Sequence, residues 1–285
     1  MSNDQVALDG GMNFPGKRWL RHWFWILAFK YPRFRLTLTR LLIPSRNIDI
    51  QLFGAPLHIN TRDEIGLSRA ARMADENAVF RDEVASLLNL ALLLQPGDTF
   101  IDVGANVGLY TSVLARFGNV FPKTKYVAIE PEPESFERLR TSIGDSHGNV
   151  TLLNIGLSDR STELPFQPGV TSGVFKVVDS ASATNGMKIH CERLDALPLR
   201  DGDLVVKIDV EEHEWPVLQG ASGLFQQGRI KVIYLDGYSD GRIPGFLRQS
   251  GFTLFDGRTL ARCDGETPRS LVAIHQTRLP KTNGN

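Results

Sequence analysis

Apolar positions follow two rhythms along this 285-residue chain. The first is helical. Val84, Leu87, Leu88, Leu90, Leu92, Leu93 and Leu94 crowd a stretch that predicts a helix over Val79 to Leu94, stopped by Pro96-Gly97. Leu109, Val113 and Phe117 predict another, and so does the segment from about Pro133 to Ile143, with proline and acids in its first turn. The second rhythm is short runs of β-branched and aromatic residues. These predict strands at Phe100–Val103, Tyr126–Ile129, Val150–Ile155, Leu204–Val210 and Ile230–Leu235. Helices expected over Glu214–Leu224, with Pro216 interrupting its first turn, and Ile243–Ser250 complete the alternation. Strands at Gly251–Phe255 and Leu271–His275 close the chain. Such alternation predicts an α/β fold, a parallel sheet covered on both faces.

Two segments break the rhythm. Ile48 to Ile59 reads as a hairpin turning at Gly54-Ala55, and Glu64 to Met73 as a helix after it. Gly156 to Asp203 is long and irregular, with Ser172–Val178 and Met187–Glu192 expected as paired strands around a polar turn at Ser180–Gly186. The tail after Arg278 is expected to be disordered.

Composition changes this picture little. A hydrophobic content of 42% with 22% charged residues is that of a globular chain with a sizeable core. The formal net charge of +0 offers no field for nucleic acid. Two cysteines, Cys191 and Cys263, have neither metal-ligand spacing nor a disulfide framework, which favours a reducing, cytoplasmic setting. The distribution of charge says more. Lys17, Arg18, Arg21, Lys30, Arg33, Arg35, Arg40 and Arg46 fall between Gly11 and Asn47, where no acid occurs. Trp19, Trp23, Phe24, Trp25 and Phe29 interleave the first of them, and the apolar run Trp23–Phe29 is too short to span a bilayer. The favoured reading of residues 17–46 is an arm packed on the domain or on a second subunit. The alternative is a helix lying on an anionic membrane.

The chemistry concentrates after the first core strand. Asp102-Val-Gly-Ala-Asn-Val-Gly108 is a strand tip followed by a glycine-bracketed turn into a helix. Asn106 and Leu109 stand where a dinucleotide fingerprint needs its second and third glycines, so a pyrophosphate is not expected. Asp102 suits a cationic or zwitterionic ligand. Glu130 ends the next strand, where a ribose-binding carboxylate is expected. A nucleoside with an amino-acid tail and no phosphate fits both acids, and S-adenosylmethionine is that molecule.

These residues, with Ala128-Ile-Glu-Pro-Glu-Pro-Glu-Ser-Phe136, Val206-Lys-Ile-Asp-Val-Glu-Glu-His-Glu214 and Val217-Leu-Gln-Gly220, resemble the FkbM family of S-adenosylmethionine-dependent methyltransferases over roughly residues 80 to 275. The family usually has glycine where Glu212 stands. The resemblance implies a Rossmann-like class I methyltransferase fold, with a seven-stranded, mostly parallel sheet whose last strand is antiparallel. It divides the chain into a basic arm and small cap over 1–79, a cofactor-binding domain over 80–278 and a tail over 279–285. It implies methyl transfer to an oxygen, often a hydroxyl of a sugar, glycan or polyketide.

Asp102, Gly104, Ala105, Asn106 and Gly108 are expected to hold the methionine end of the cofactor, Glu130 the ribose, and Ser158 and Asp159 the adenine edge. Asp209, Glu211 and His213 are the candidate catalytic residues. Asp209 would orient the acceptor, and His213 or Asp209 itself would take its proton. Asp209 and Asp236 also end strands where catechol-type enzymes hold Mg²⁺, but a metal-free site is favoured. The competing reading is a non-catalytic cofactor-binding or assembly protein of the same fold. The acceptor and the oligomeric state stay open.

Overall fold

The computed structural model describes residues 44–68, 81–144, 148–168, 175–177 and 188–280. The arm before residue 44, the second half of the helix expected over Glu64–Met73, the turn at Ser180–Gly186 and the last five residues lie outside the described residues. Ser45–Asn285 forms one compact unit.

A hairpin opens it. Strands β1 (Asn47–Leu52) and β2 (Ala55–Asn60) pair antiparallel with Leu52 opposite Ala55. The turn is therefore Phe53-Gly54, one residue earlier than the sequence suggested, with both residues at positive φ. That backbone twist matches the twist of the flanking strands. The inward face of the hairpin, Leu52, Leu57 and Ile59, is buried in the same core as Phe100 and Leu114. The hairpin is thus part of the main hydrophobic body.

Helix α1 (Arg81–Leu93) leads to strand β3 (Thr99–Val103). Then follow α2 (Leu109–Arg116), β4 (Lys125–Ile129), α3 (Pro133–Ile143) and β5 (Val150–Leu153). After an insertion come β10 (Leu204–Ile208), α4 (Glu214–Gln219), α5 (Ser222–Gln226), β11 (Ile230–Leu235), α6 (Ile243–Gln249), β12 (Phe252–Asp256) and β13 (Leu271–His275). The central sheet runs β12-β13-β11-β10-β3-β4-β5. Strand β13 alone runs against its neighbours β11 and β12; every other adjacent pair is parallel. This is the Rossmann-like class I arrangement.

Alternation along the strands divides the core. Phe100, Val205, Val232 and Val272 face the hairpin, α1 and α2. Ile101, Val206, Ile233 and Ala273 face α4, α5 and α6. With both faces covered, each large apolar side chain removed from water contributes about 1.5–3 kcal/mol.

The insertion holds a second sheet, ordered β6-β9-β7-β8: β6 (Gly156–Leu157), β7 (Thr162–Pro168), β8 (Phe175–Val177) and β9 (Lys188–Glu192). The strands expected around 172–178 and 187–192 do not pair with each other; both pair with β7. Pro165 and Pro168 hide β7 in the sequence, because proline argues against a strand with neighbours on both sides. The helix expected over Glu214–Leu224 also differs. Pro216 sits in the first turn of α4, where its missing N–H costs nothing. The break falls at Gly220 instead, where a Cβ would lie 2.0 Å from the Ser158 carbonyl oxygen.

Candidate active site

Strand β3 ends at Val103, and the chain turns through Gly104 to Gly108 into α2. The turn is clamped on two sides. The N–H groups of Gly104 and Ala105 both donate to the Ile129 carbonyl at the end of β4, at 3.0 Å. On the other side Gly104 presses on the end of β10, and a Cβ there would lie 2.0 Å from the Asp209 carbonyl oxygen. With φ at +75°, only glycine meets both demands. Asn106 has φ at +49°, a left-handed position that asparagine tolerates better than most residues.

A cleft opens beside this turn. Gly104, Asn106, Glu130, Asp209, Glu211 and His213, all singled out in the sequence, line it together. Glu130 Oε2 accepts the Asn106 N–H and Oε1 the Glu132 N–H, both at 2.9 Å. Burial nevertheless pushes this carboxyl up to about 7 against those two bonds. Each oxygen keeps capacity for one further donor, which suits a vicinal diol. The Asn106 Oδ1 is buried without a hydrogen-bond partner. The residues present therefore fit a ribose and a polar tail. The opposite wall is apolar and comes from the inserted sheet: Leu157, Phe166, Ile189 and Cys191. Burial raises the Cys191 thiol to about 11, so it is an inert part of that wall. The sequence reading missed this wall, although Leu164/Phe166 and Ile189/Cys191 carry a faint two-residue alternation.

Five of the expected cofactor residues lie outside the cleft lining. Asp102 is fully buried beneath it. Its Oδ2 accepts the Thr111 hydroxyl at 2.8 Å and its Oδ1 lies 3.2 Å from Lys207 Nζ. The pairing follows from register, since Asp102 and Lys207 are opposite each other on β3 and β10. Ala105 and Gly108 shape the turn from behind; a Cβ on Gly108 would lie 2.5 Å from a Leu139 methyl. Ser158 is buried, bonded to the Asp159 carboxylate and to His213 Nε2, each at 3.2 Å. Asp159 also pairs with Arg160 at 3.4 Å. His213 is thus tied to the cofactor side, and burial lowers its pKa, keeping it neutral near pH 7.

A second cavity lies across the segment Asp209–Glu211, which lines both. Glu212, Glu214 and Asp236 add further carboxylates to it, with Tyr238 and Arg269. Lys207 reaches Asp209 from beneath, at 3.3 Å. Burial pulls this lysine down, but the carboxylates of Asp102, Asp209 and Asp236 outweigh it and hold it above the usual range. Asp236 accepts the Tyr234 hydroxyl at 3.1 Å, and burial and the charge of Asp209 raise its pKa. Glu212 has φ at +61°, which explains why a glycine there would be favoured. Glu214 is 5% exposed; its Oε1 accepts the Glu212 N–H at 3.1 Å, and burial pushes it up to about 7. Among the described residues no three His, Cys, Asp or Glu side chains converge to hold a metal ion. No helix among them is long and apolar enough to cross a membrane.

Comparison with known proteins bears on what such a pair of cavities does. Residues 102–254 match the family model described as the methyltransferase FkbM domain. The chain is 32% identical over 142 residues to the hexuronic acid methyltransferase AglP of Haloferax volcanii, a match covering 48% of this chain and 55% of that protein. It is 34% identical over 107 residues to the AMB antimetabolite synthetase AmbE of Pseudomonas aeruginosa, covering 36% of this chain and 5% of that protein. The chain therefore spans about half of the first relative and a small part of the second. Among solved structures, a TehB-like S-adenosylmethionine-dependent methyltransferase from Corynebacterium glutamicum is similar at a TM-score of 0.39 and 12% identity, over 74% of this chain and 96% of that one.

Proposed function

The chain belongs to the FkbM family of methyltransferases with S-adenosylmethionine as cofactor, and from that premise we propose that it methylates a hydroxyl oxygen of a sugar, glycan or polyketide-like acceptor. One observation carries the reading: the cleft that fits the cofactor and the carboxylate-lined cavity share the wall Asp209–Glu211. Reactants held in two cavities that border the same short segment are kept close together, as in-line transfer requires.

The cofactor supplies a methyl group on a sulfonium, whose C–S bonding pair stays with sulfur on transfer. Glu130 would hold the ribose hydroxyls, and the turn from Gly104 to Asn106 would support the amino-acid end. Leu157, Phe166 and Ile189 supply an apolar wall against which the adenine would pack. In the second cavity Asp209, anchored by Lys207, orients the acceptor hydroxyl. As the oxygen forms its new C–O bond, its O–H bond breaks and the proton passes to a carboxylate. Asp236 is suited to take it, because burial and the neighbouring Asp209 raise its proton affinity. His213, on the cofactor side with Ser158, is a less direct acceptor for it than the sequence suggested.

The test is label transfer. The protein is incubated with S-adenosylmethionine carrying a ¹³C methyl group and a panel of methyl glycosides. A ¹³C-methoxy product, lost in Asp209→Asn, supports the reading. Calorimetry with S-adenosylhomocysteine on the wild type and Glu130→Ala tests the cofactor half alone, and folded protein that fails to bind it would sink the reading.

A further inference from the structure

We propose that the second cavity takes an acceptor that carries an ammonium group beside its reactive hydroxyl, rather than an anionic uronate. The proposal rests on the methyltransferase reading and names the acceptor class for the same site.

Asp209, Glu211, Glu212, Glu214 and Asp236 line the cavity, and Arg269 is the only cation in that lining. Lys207 offsets Asp209 from below but is itself fully buried and shared with Asp102. A carboxylate on the acceptor would meet this excess of like charge at close range, and an ammonium would be attracted by it.

Glu214 lines the cavity and is buried; the Glu212 and Ser239 N–H groups face its carboxylate, yet its Oε2 has no hydrogen bond of normal geometry. A buried acceptor left in that state is costly, and a donor from the ligand would repair it. An ammonium brings three N–H donors and the compensating charge together. Glu212 adds to this. Its left-handed backbone is strained for any side chain but glycine, yet it places another carboxylate at the cavity. A metal ion is a weaker occupant, because the carboxylates do not converge to a common point.

The experiment uses the full chain with S-adenosylhomocysteine present and follows backbone amide shifts of Asp209, Glu214 and Gly237. The probes are the methyl glycosides of glucosamine, glucose and glucuronic acid, and MgCl₂. The glucosamine glycoside is expected to bind at least about tenfold more tightly than the glucose glycoside, and the glucuronide more weakly than either. Glu214→Gln should erase the preference for the amine while leaving S-adenosylhomocysteine affinity unchanged. Should that variant misfold, Glu212→Gln and a rise in salt report the same charge dependence. Equal or tighter binding of the glucuronide overturns the proposal. So does no preference for the amine, no response to the amine at all, or saturation of the same amides by Mg²⁺ at lower concentration. The methyltransferase reading fails separately: S-adenosylhomocysteine does not bind, and the amine comparison can still be run on the free protein.

Discussion

On one side of Asp209–Glu211 the cavity is lined by the glycine turn, Glu130, His213 and the apolar side chains of the inserted sheet; on the other it is lined mainly by carboxylates. A buried glutamate sits in each, Glu130 and Glu214, and burial pushes both up to about 7. Their surroundings differ. Both oxygens of Glu130 take a backbone N–H, so the residue is held in one place before any ligand arrives. Glu214 has one oxygen bonded to the Glu212 N–H and the other without a hydrogen bond of normal geometry, though the Ser239 N–H faces the carboxylate. The first cavity is preorganised for a fixed partner, and the second keeps unmet hydrogen-bonding capacity for a partner yet to be named. A cofactor common to a whole family and an acceptor particular to one member make those two demands.

The comparison can be broken at its shared base. Lys207→Met leaves Asp102 buried without its counter-ion and releases Asp209, so both cavities should suffer. The expected loss of stability is about 3–5 kcal/mol, read from urea denaturation. Asp209→Asn separates the two sides: methyl transfer should fall by about 100-fold or more, while calorimetry shows unchanged S-adenosylhomocysteine affinity. Equal losses in both would mean that the wall works as one unit.

Glu130→Gln sharpens the contrast from the other side. Affinity for S-adenosylhomocysteine should drop about tenfold, since a charged acceptor of two hydroxyl donors becomes a neutral one. In the wild type the same affinity should weaken as pH falls through about 7, where the carboxylate takes up a proton. Stability runs the opposite way. A glutamate whose pKa is higher folded than unfolded stabilises the fold below its unfolded value of 4.5, and that contribution is lost as pH rises through about 7. Glu130→Gln and Glu214→Gln should therefore both raise the melting temperature more at pH 8 than at pH 5, but only the first should cost cofactor affinity. The smallest effect is expected at Glu212→Gly. Relief of its left-handed backbone should stabilise the protein by about 1 kcal/mol, visible as a higher denaturation midpoint.

The strand ends were legible because their signals are local. A glycine turn after an apolar run, and an acid closing the next run, marked Gly104, Asn106, Glu130 and Asp209, and these four share one cleft. Asp102 misled for a definite reason. It belongs to the same tip, but the two-residue alternation of a strand turns it under the sheet, toward Lys207 and Thr111. Ser158 and Asp159 were placed by analogy with a strand end, whereas the Ser158 carbonyl packs against Gly220 and its hydroxyl bonds His213. The covering sheet was legible only in part: β8 and β9 fall within expected strands, but β7, with which both pair, was missed because its prolines outweighed its weak alternation.

The elements of the central sheet could be read from the sequence alone, since helix and strand periods, prolines and glycines act over a few residues; β7 and the break at Gly220 could not. The sequence determined the glycine turn too, because φ of +75° at Gly104 admits little else. Only the tertiary structure decided that Asp102 and Lys207, over a hundred positions apart, form the buried pair on which Asp209 rests. Only it brought Asp236 and Glu214 to one cavity, and laid Phe166 and Ile189 over another. Such placements follow from the register of distant strands, which is set by packing of the whole core and has no local pattern in the chain.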